Sequence, residues 1–359
     1  MTRQGQQTIL IAGAGSVGAT CALVLARLGY AVTVIDPAPL GHNTSGMAAG
    51  MLAPAFEAVL DGAAPEVFAL YLDSMRAWTP LLNELGLAAP DAPPSGAVWV
   101  GAHAEAMAAR FDALGAAHQL VSARTVMGLS PGLNLSQPSA LLAPQDGRLD
   151  PASTLVALRR AATGLGARYI TGQLAHYADG RAQLADGQAL AVDHLILATG
   201  LPRSLTHLAP ELVHLSPIKG QLVVFEGELL WSGPTLRTAL GYATPTAGGL
   251  AVGATMEAGR DDTDIDIDTS ERLSALGRSL FPGLEGAAAT AKVGVRAASP
   301  DRLPLVGPSL VPGVILACGM RRNGWLMAPL VARQVAAYLQ SQDQGPWAIL
   351  LSPQRFDPA

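Results

Sequence analysis

The stretch Thr8-Ile-Leu-Ile-Ala12, Gly13-Ala14-Gly15-Ser16-Val17-Gly18, an apolar run to Leu28, then Ala31-Val-Thr-Val-Ile35 and Asp36 decides the fold. Its order is strand, glycine turn, helix, strand, acid, which is a dinucleotide-binding fingerprint in full context rather than a bare GxGxxG. Gly13 permits the tight turn, Gly15 lets the backbone approach a pyrophosphate, and Gly18 lets the helix pack against the strand. Backbone N–H groups at the positive end of that helix, around Ala14 to Gly18, then receive the pyrophosphate. Asp36 follows Gly18 by eighteen positions, where a carboxylate accepts hydrogen bonds from a ribose diol. An acid there favours FAD or NAD over NADP. The competing reading, a glycine-rich turn with no nucleotide, does not account for the acid.

Ile9 to Ile35 is apolar enough to raise the question of a membrane span. Arg27 and the glycines interrupt it, and it divides into two strands and a helix. A signal peptide needs a basic n-region, an apolar region and a small-residue cleavage site. Arg3 is the only early cation, and cleavage would destroy the fingerprint. The expectation is a cytoplasmic protein with no integral membrane segment.

The 359 residues allow two units with large cores. Half are hydrophobic and only 14% are charged, against roughly 25% in an average globular chain, so buried area is high. A net charge of −5 without a basic stripe argues against a nucleic-acid partner. Two cysteines, Cys21 and Cys318, make neither a disulfide framework nor a metal cluster. The seven histidines lack HxxxH or HxH spacing, so no metal is expected.

Along the chain, Val67 to Leu85 reads as one long helix, and residues 97–130 mix a short strand with helices. Ser139 to Ala143 reads as a strand, and Asp150-Pro151 as the N-cap and first turn of a helix over 152–164. Ala167 to Ile170 and His194 to Ala198 read as parallel-type strands. Gln221 to Phe225, Leu236 to Tyr242 and Leu250 to Thr255 read as antiparallel ones. A helix follows over about 269–280, with Asp268 and Glu271 at capping-box spacing. Lys292 to Ala297 and Gly313 to Cys318 are further strands, and Asn323 to Leu339 is the last helix. The fold class is α/β: a Rossmann-type domain interleaved with an antiparallel-sheet α+β domain. The division places 1–56, 139–216 and 290–345 in the nucleotide-binding domain, and 57–138 and 217–289 in the substrate domain.

Two motifs mislead. Gly128-Leu-Ser-Pro-Gly132 has the GxSxG form, but Pro131 has no N–H to donate to an oxyanion, so Ser130 is not read as a nucleophile. Asp261 to Asp268 is rich in acids but lacks the glycine and terminal glutamate of a calcium loop, and reads as a solvated loop.

The remaining motifs separate FAD from NAD. Thr44-Ser-Gly-Met-Ala-Ala-Gly-Met-Leu-Ala-Pro54, Asp146-Gly-Arg-Leu-Asp-Pro151, Leu197-Ala-Thr-Gly200 and Pro217-Ile-Lys-Gly-Gln221 occur in that order. Gly253-Ala-Thr-Met-Glu257, Pro300-Asp-Arg-Leu-Pro-Leu-Val-Gly307 and Arg322-Asn-Gly-Trp-Leu-Met-Ala-Pro329 complete the set. Together they resemble the D-amino acid oxidase superfamily over residues 8 to 340, and within it the glycine oxidases of thiamine synthesis and the sarcosine-oxidase-like enzymes. The resemblance implies that Thr44, Ser45, Ala49, Gly50, Met51 and Leu52 line the pyrophosphate and flavin ring. It implies an adenine contact near Leu174 and cofactor contacts from Ala198, Thr199 and Gly200. By the same resemblance Arg296 and Arg322 meet a substrate carboxylate, Tyr242 adds a hydroxyl, and Met256 is a pocket wall. Arginine suits that position because a buried carboxylate needs a delocalised cation with forked donors. Each arginine also has a plainer reading as one member of a structural ion pair, and Tyr242 and Met256 as packing residues.

This chain departs from the pattern at Pro245-Thr246, where the family has proline–arginine. It departs again at Met320-Arg321, ahead of the final motif, and at Trp325, which is bulkier than usual. Some relatives tether FAD through a cysteine before the Pro-Asp motif. Residues 294–299 hold none, so non-covalent FAD is expected.

The reaction implied is oxidation of a small α-amino acid by hydride transfer from Cα to flavin N5, with the imine hydrolysed to an oxo acid and ammonia or an amine. N–H groups at Asn323, Gly324 and Trp325 are expected beside the flavin, where a helix dipole stabilises reduced flavin, with Leu326 a further cofactor contact. Dioxygen is the expected electron acceptor, giving hydrogen peroxide. A dehydrogenase of the same fold, serving a quinone or carrier protein, and a non-catalytic flavin- or NAD-binding module are the alternatives. The amine used, and whether the chain is a homo-oligomer, stay open.

Overall fold

The computed structural model describes residues 6–88, 96–201, 203–227, 233–246 and 249–356. Arg3, used above against a leader peptide, lies outside them. Among the described residues the fingerprint forms as read: strand Thr8–Ala12, helix Ser16–Arg27 and strand Ala31–Asp36. These two strands enter a six-stranded sheet ordered Leu305–Pro308, Val314–Cys318, His194–Leu197, Thr8–Ala12, Ala31–Asp36, Arg168–Thr171. All neighbours are parallel except the outermost pair, Leu305–Pro308 with Val314–Cys318. Leu10, Ile11, Leu195, Ile196, Leu197 and Leu316 are fully buried, as expected of a parallel sheet covered on both faces. Each such aliphatic side chain contributes about 1.5–3 kcal/mol by leaving water. The N-cap reading at Asp150 holds: its carboxylate accepts from Ser153 N at 2.8 Å, and the helix runs Pro151–Gly164.

A nine-stranded, largely antiparallel sheet forms the second layer. The long strand Ser216–Glu226 pairs along ten residues with Ala289–Ala298 on one side, and on the other with Gly249–Gly253. Its two faces differ sharply. Val98, Val223, Phe225, Leu236, Ala243 and Val252 point one way and join a core with Leu273, Leu276 and Leu280 of helix Ile267–Leu280. The alternate residues point the other way, into a cavity.

Sheet membership cuts across the expected division at two places. Residues 139–143 and 289–298 were placed largely with the nucleotide-binding segments, yet both hydrogen-bond into the nine-stranded sheet. Three local readings are corrected. Val67 to Leu85 is two helices, Pro65–Arg76 and Trp78–Leu85, because Pro80 has no N–H for the carbonyl of Arg76. Leu236 to Tyr242 is a hairpin, Thr235–Thr238 and Gly241–Thr246, turning at Ala239-Leu240. The cap of the following helix is Asp266, whose carboxylate accepts from Thr269 N at 2.7 Å, not Asp268.

Candidate active site

The nucleotide turn is held open by its glycines. Gly13 adopts φ +105°, a left-handed conformation. A β-carbon on Gly13 would overlap the carbonyl oxygen of Ala198, and one on Gly18 would overlap that of Gly13. A β-carbon on Gly15 would sit 2.8 Å from Ser45 Oγ. Ser45 Oγ accepts from Ser16 N at 2.9 Å, and Asp36 accepts from Ala14 N at 2.7 Å and Ala38 N at 2.8 Å. The first intrahelical bond runs from Ala19 N to Gly15 O, which leaves the N–H groups of Val17 and Gly18 without helical acceptors. Val17 borders a cavity of about 190 Å³ that is also lined by Gly13, Gly15, Ser16, Asp36, Thr44, Ser45, Ala198, Thr199 and Gly200, with Gly18 just behind it. A backbone cradle with a helix N-terminus and a carboxylate fits a dinucleotide.

A second cavity, of about 380 Å³, adjoins the first, and Thr44, Ala48, Arg296, Arg322 and Trp325 line both. Its floor is the open face of the nine-stranded sheet. One row of register partners crosses that face: Lys292, Leu222, Gly253, Tyr242, Arg237 and Trp99. Gly253 carries no side chain, so the Tyr242 ring leans over it, with the hydroxyl 2.8 Å from where a β-carbon would be. The guanidinium of Arg296 lies likewise across Gly220. Gly220 and Gly253 are diagonal neighbours on paired strands, about 7–8 Å apart. Arg296 Nη1 donates to Thr255 O at 3.2 Å and touches Met256 Sδ at 3.4 Å. Among the described residues no carboxylate pairs with Arg296. Burial lowers its pKa from the ordinary arginine value, with Tyr242 opposing, and burial raises that of Tyr242, with Arg296 opposing.

Arg322 is placed differently. Its Nε pairs with Glu57 and its Nη2 lies 3.0 Å from Asp61 Oδ1. Glu57 also meets Arg237 Nη2 at 2.9 Å, and Asp61 meets Arg321 Nη1 at 2.6 Å. Burial pushes Glu57 upward, but Arg322 and Arg237 outweigh it and hold the carboxyl down at about 2. Glu57 lies in the first turn of the helix Pro54–Asp61, whose first N–H groups, Ala55 and Phe56, donate to the buried Asp146 at 2.8 and 3.1 Å. Burial raises Asp146 to about 7 despite Arg237 and these two donors.

At the last helix, Gly324–Leu339, the first bond closes from Met327 N to Asn323 O at 2.9 Å. Asn323 N itself donates to Met320 O. The N–H groups left without helical acceptors are therefore those of Gly324, Trp325 and Leu326, one residue on from the expected set. Trp325 Nε1 donates to Ser45 O at 3.0 Å, tying this turn to the nucleotide side.

Most residues singled out by sequence meet at the two cavities. Ala49, Gly50, Met51, Asn323, Tyr242 and Met256 line the larger one. Ala14, Gly18, Leu52 and Leu326 stand behind the walls, with the side chains of Leu52 and Leu326 in the core. Leu174 is packed in a separate core cluster and lines neither cavity. Sequence reasoning missed Glu57, Asp61, Arg237 and Lys292. The spacing of Glu57 and Asp61, one helical turn apart, was a usable sign of a shared partner.

A family model described as DAO, FAD dependent oxidoreductase, matches residues 8–338. The chain belongs to the DAO family of FAD-dependent oxidoreductases. Glycine oxidase of Pseudomonas putida is 39% identical over 119 residues, 31% of this chain and 31% of that protein. The ThiO/ThiG bifunctional protein of Synechocystis sp. is 29% identical over 372 residues, 98% of this chain and 54% of that protein. The bifunctional protein MnmC of Caulobacter sp., of tRNA 5-methylaminomethyl-2-thiouridine biosynthesis, is 36% identical over 135 residues, 34% of this chain and 22% of that protein. The chain thus spans between about a fifth and a half of these relatives. Glycine oxidase from Geobacillus kaustophilus superposes with TM-score 0.84 at 23% identity, covering 98% of this chain and all of that one. Iminodiacetate oxidase from Chelativorans sp. BNC1 gives 0.83 at 23%, covering 96% and 98%. These two share the DAO fold. Among the described residues no helix is long and apolar enough to cross a membrane.

Proposed function

We propose that this DAO-family enzyme oxidises a small α-amino acid or N-substituted glycine, binding its carboxylate at Arg296. The observation that carries this is the Arg296 guanidinium, which lines the cavity and meets no carboxylate among the described residues, with the Tyr242 hydroxyl a diagonal step away. A half-buried guanidinium with no anion beside it is a strong carboxylate receptor. Arg322, already neutralised by Glu57 and Asp61, shapes the junction of the two cavities and adds donors there.

FAD, when bound there, would supply the acceptor for the hydride that leaves Cα and the route by which both electrons reach dioxygen as hydrogen peroxide. Gly13, Gly15, Ser16, Ser45 and Asp36 would hold its dinucleotide part, and Thr44 and 49–51 its ring. Fixing the carboxylate at Arg296 and Tyr242 presents a single Cα–H to that ring and sets the reaction geometry. As the Cα–H bond breaks, the nitrogen lone pair closes a C=N bond. Water then adds, the C–N bond breaks, and an oxo acid and an amine leave. No side chain need remove a proton if the amine enters neutral. The free N–H groups of Gly324, Trp325 and Leu326 favour developing negative charge beside them.

Non-covalent attachment is supported by the cysteines. Cys21 and Cys318 are fully buried, and burial pushes their thiols up to about 12 and 11, which leaves no thiolate to form a tether.

The test is anaerobic mixing of the yellow protein with glycine, sarcosine, D-alanine and D-proline, followed by air. Bleaching by at least one, with peroxide on re-aeration, is expected. Bleaching by none overturns the reading. Bleaching without peroxide moves the enzyme to the dehydrogenase class.

A further inference from the structure

Within the same cavity Arg296 is not alone in lacking a carboxylate partner among the described residues. Lys292, Gly294 and Arg296 alternate onto one face of the strand Ala289–Ala298, and all three line the cavity. Residues four apart on a strand are separated by about 13 Å at the backbone, a gap that two long side chains narrow. Gly294 leaves the space between them clear. Among the described residues no carboxylate pairs with Lys292. The cavity is lined by four cations, Arg237, Lys292, Arg296 and Arg322, against the single carboxylate of Glu57, which Arg237 and Arg322 already share. A substrate with one carboxylate answers Arg296 and leaves Lys292 facing it across a shared cavity.

We propose that the preferred substrate is an amine bearing two carboxylates, the first held by Arg296 and Tyr242 and the second by Lys292. This rests on the oxidase reading above and narrows its substrate class. A lysine is a mobile point charge, so it tolerates the second carboxylate on either the nitrogen substituent or the side chain. The oxidation is unchanged: hydride leaves Cα, C=N forms, water adds and the C–N bond breaks, with the second carboxylate retained on whichever product carries it.

The experiment uses the holoenzyme and two matched pairs, iminodiacetate with its monoamide and D-aspartate with D-asparagine. Each pair differs by one charge at nearly constant shape. In at least one pair the diacid is expected to reduce the flavin with kcat/KM about tenfold above its amide, the scale of one charged hydrogen bond. Lys292→Gln is expected to collapse that ratio toward one, and Lys292→Arg to keep most of it. Lys292 is exposed, so neither change threatens folding. Equal rates for acid and amide in both pairs, or a ratio that Lys292→Gln leaves intact, overturn the inference while the oxidase reading stands. If no amino acid of any kind bleaches the flavin, the oxidase reading fails and takes this inference with it.

Discussion

The guanidinium of Arg296 occupies the space where Gly220, on the neighbouring strand, lacks a side chain. Gly220 has ordinary strand backbone, so alanine is conformationally allowed there and its cost falls on the arginine. Gly220→Ala is expected to displace Arg296 and raise KM for a carboxylate substrate by at least about tenfold, with FAD content retained. Arg296→Ala should weaken a carboxylate inhibitor by about a hundredfold or more in a titration of the flavin spectrum. An unaltered titration in both variants would remove Arg296 from the pocket.

Glu57 is a stability residue as well as a wall of the site. Its removal leaves two buried arginines sharing too little negative charge, so Glu57→Gln is expected to cost about 3–5 kcal/mol in urea unfolding. The sign of the pH effect follows from a folded-state pKa of about 2, below the ordinary 4.5. The stabilisation is fully present above pH 4.5 and is lost as pH falls toward 2. The stability gap between the wild type and Glu57→Gln should therefore narrow across that window, and a constant gap would contradict the ion-pair assignment.

Asp146 runs in the opposite direction. Its folded-state value, about 7, lies above the ordinary 3.8, so the protonated form is favoured by folding. That contribution is complete below about pH 4 and is lost as pH rises through 7. Relative to Asp146→Asn, the wild type should lose on the order of a few kcal/mol between those limits, read from unfolding midpoints at several pH values.

At the nucleotide turn, Gly15→Val is expected to abolish FAD retention. The first added carbon already lies 2.8 Å from Ser45 Oγ, and the branches beyond it project over the helix N-terminus. The readout is flavin absorbance per mole of purified protein, with a far-ultraviolet spectrum to confirm folding. Stoichiometric yellow protein would place the cofactor elsewhere.

Much of this was legible from local chemistry. Gly13, Gly15, Gly18 and Asp36 announce themselves because backbone geometry and one carboxylate dictate their spacing. Asp150 and Pro151 do so because capping involves only a few consecutive residues. The split at Pro80 was also written in the chain and was overlooked, since helical periodicity persisted through it. What could not be read was the pairing of Arg322 with Glu57 and Asp61, or of Glu57 with Arg237. Those partners are separated by 265 and 180 positions, and sequence spacing carries no information about contacts made only by the closed fold. Lys292 was similarly hidden, because its importance depends on sharing a face with Arg296 over a cavity that exists only once the sheet has formed.

Glu57 joins three parts of the chain that reach it from unrelated directions: the helix Pro54–Asp61, the sheet strand holding Arg237, and the turn holding Arg322. Prising any one away would strand like charges in a dry interior. The chamber is therefore braced at its back wall and keeps a constant breadth. Whatever adjustment a bulkier guest demands falls to the lip, where Leu240 and Met256 stand 79% and 39% exposed. Discrimination by size belongs to that lip, and discrimination by charge to the braced interior.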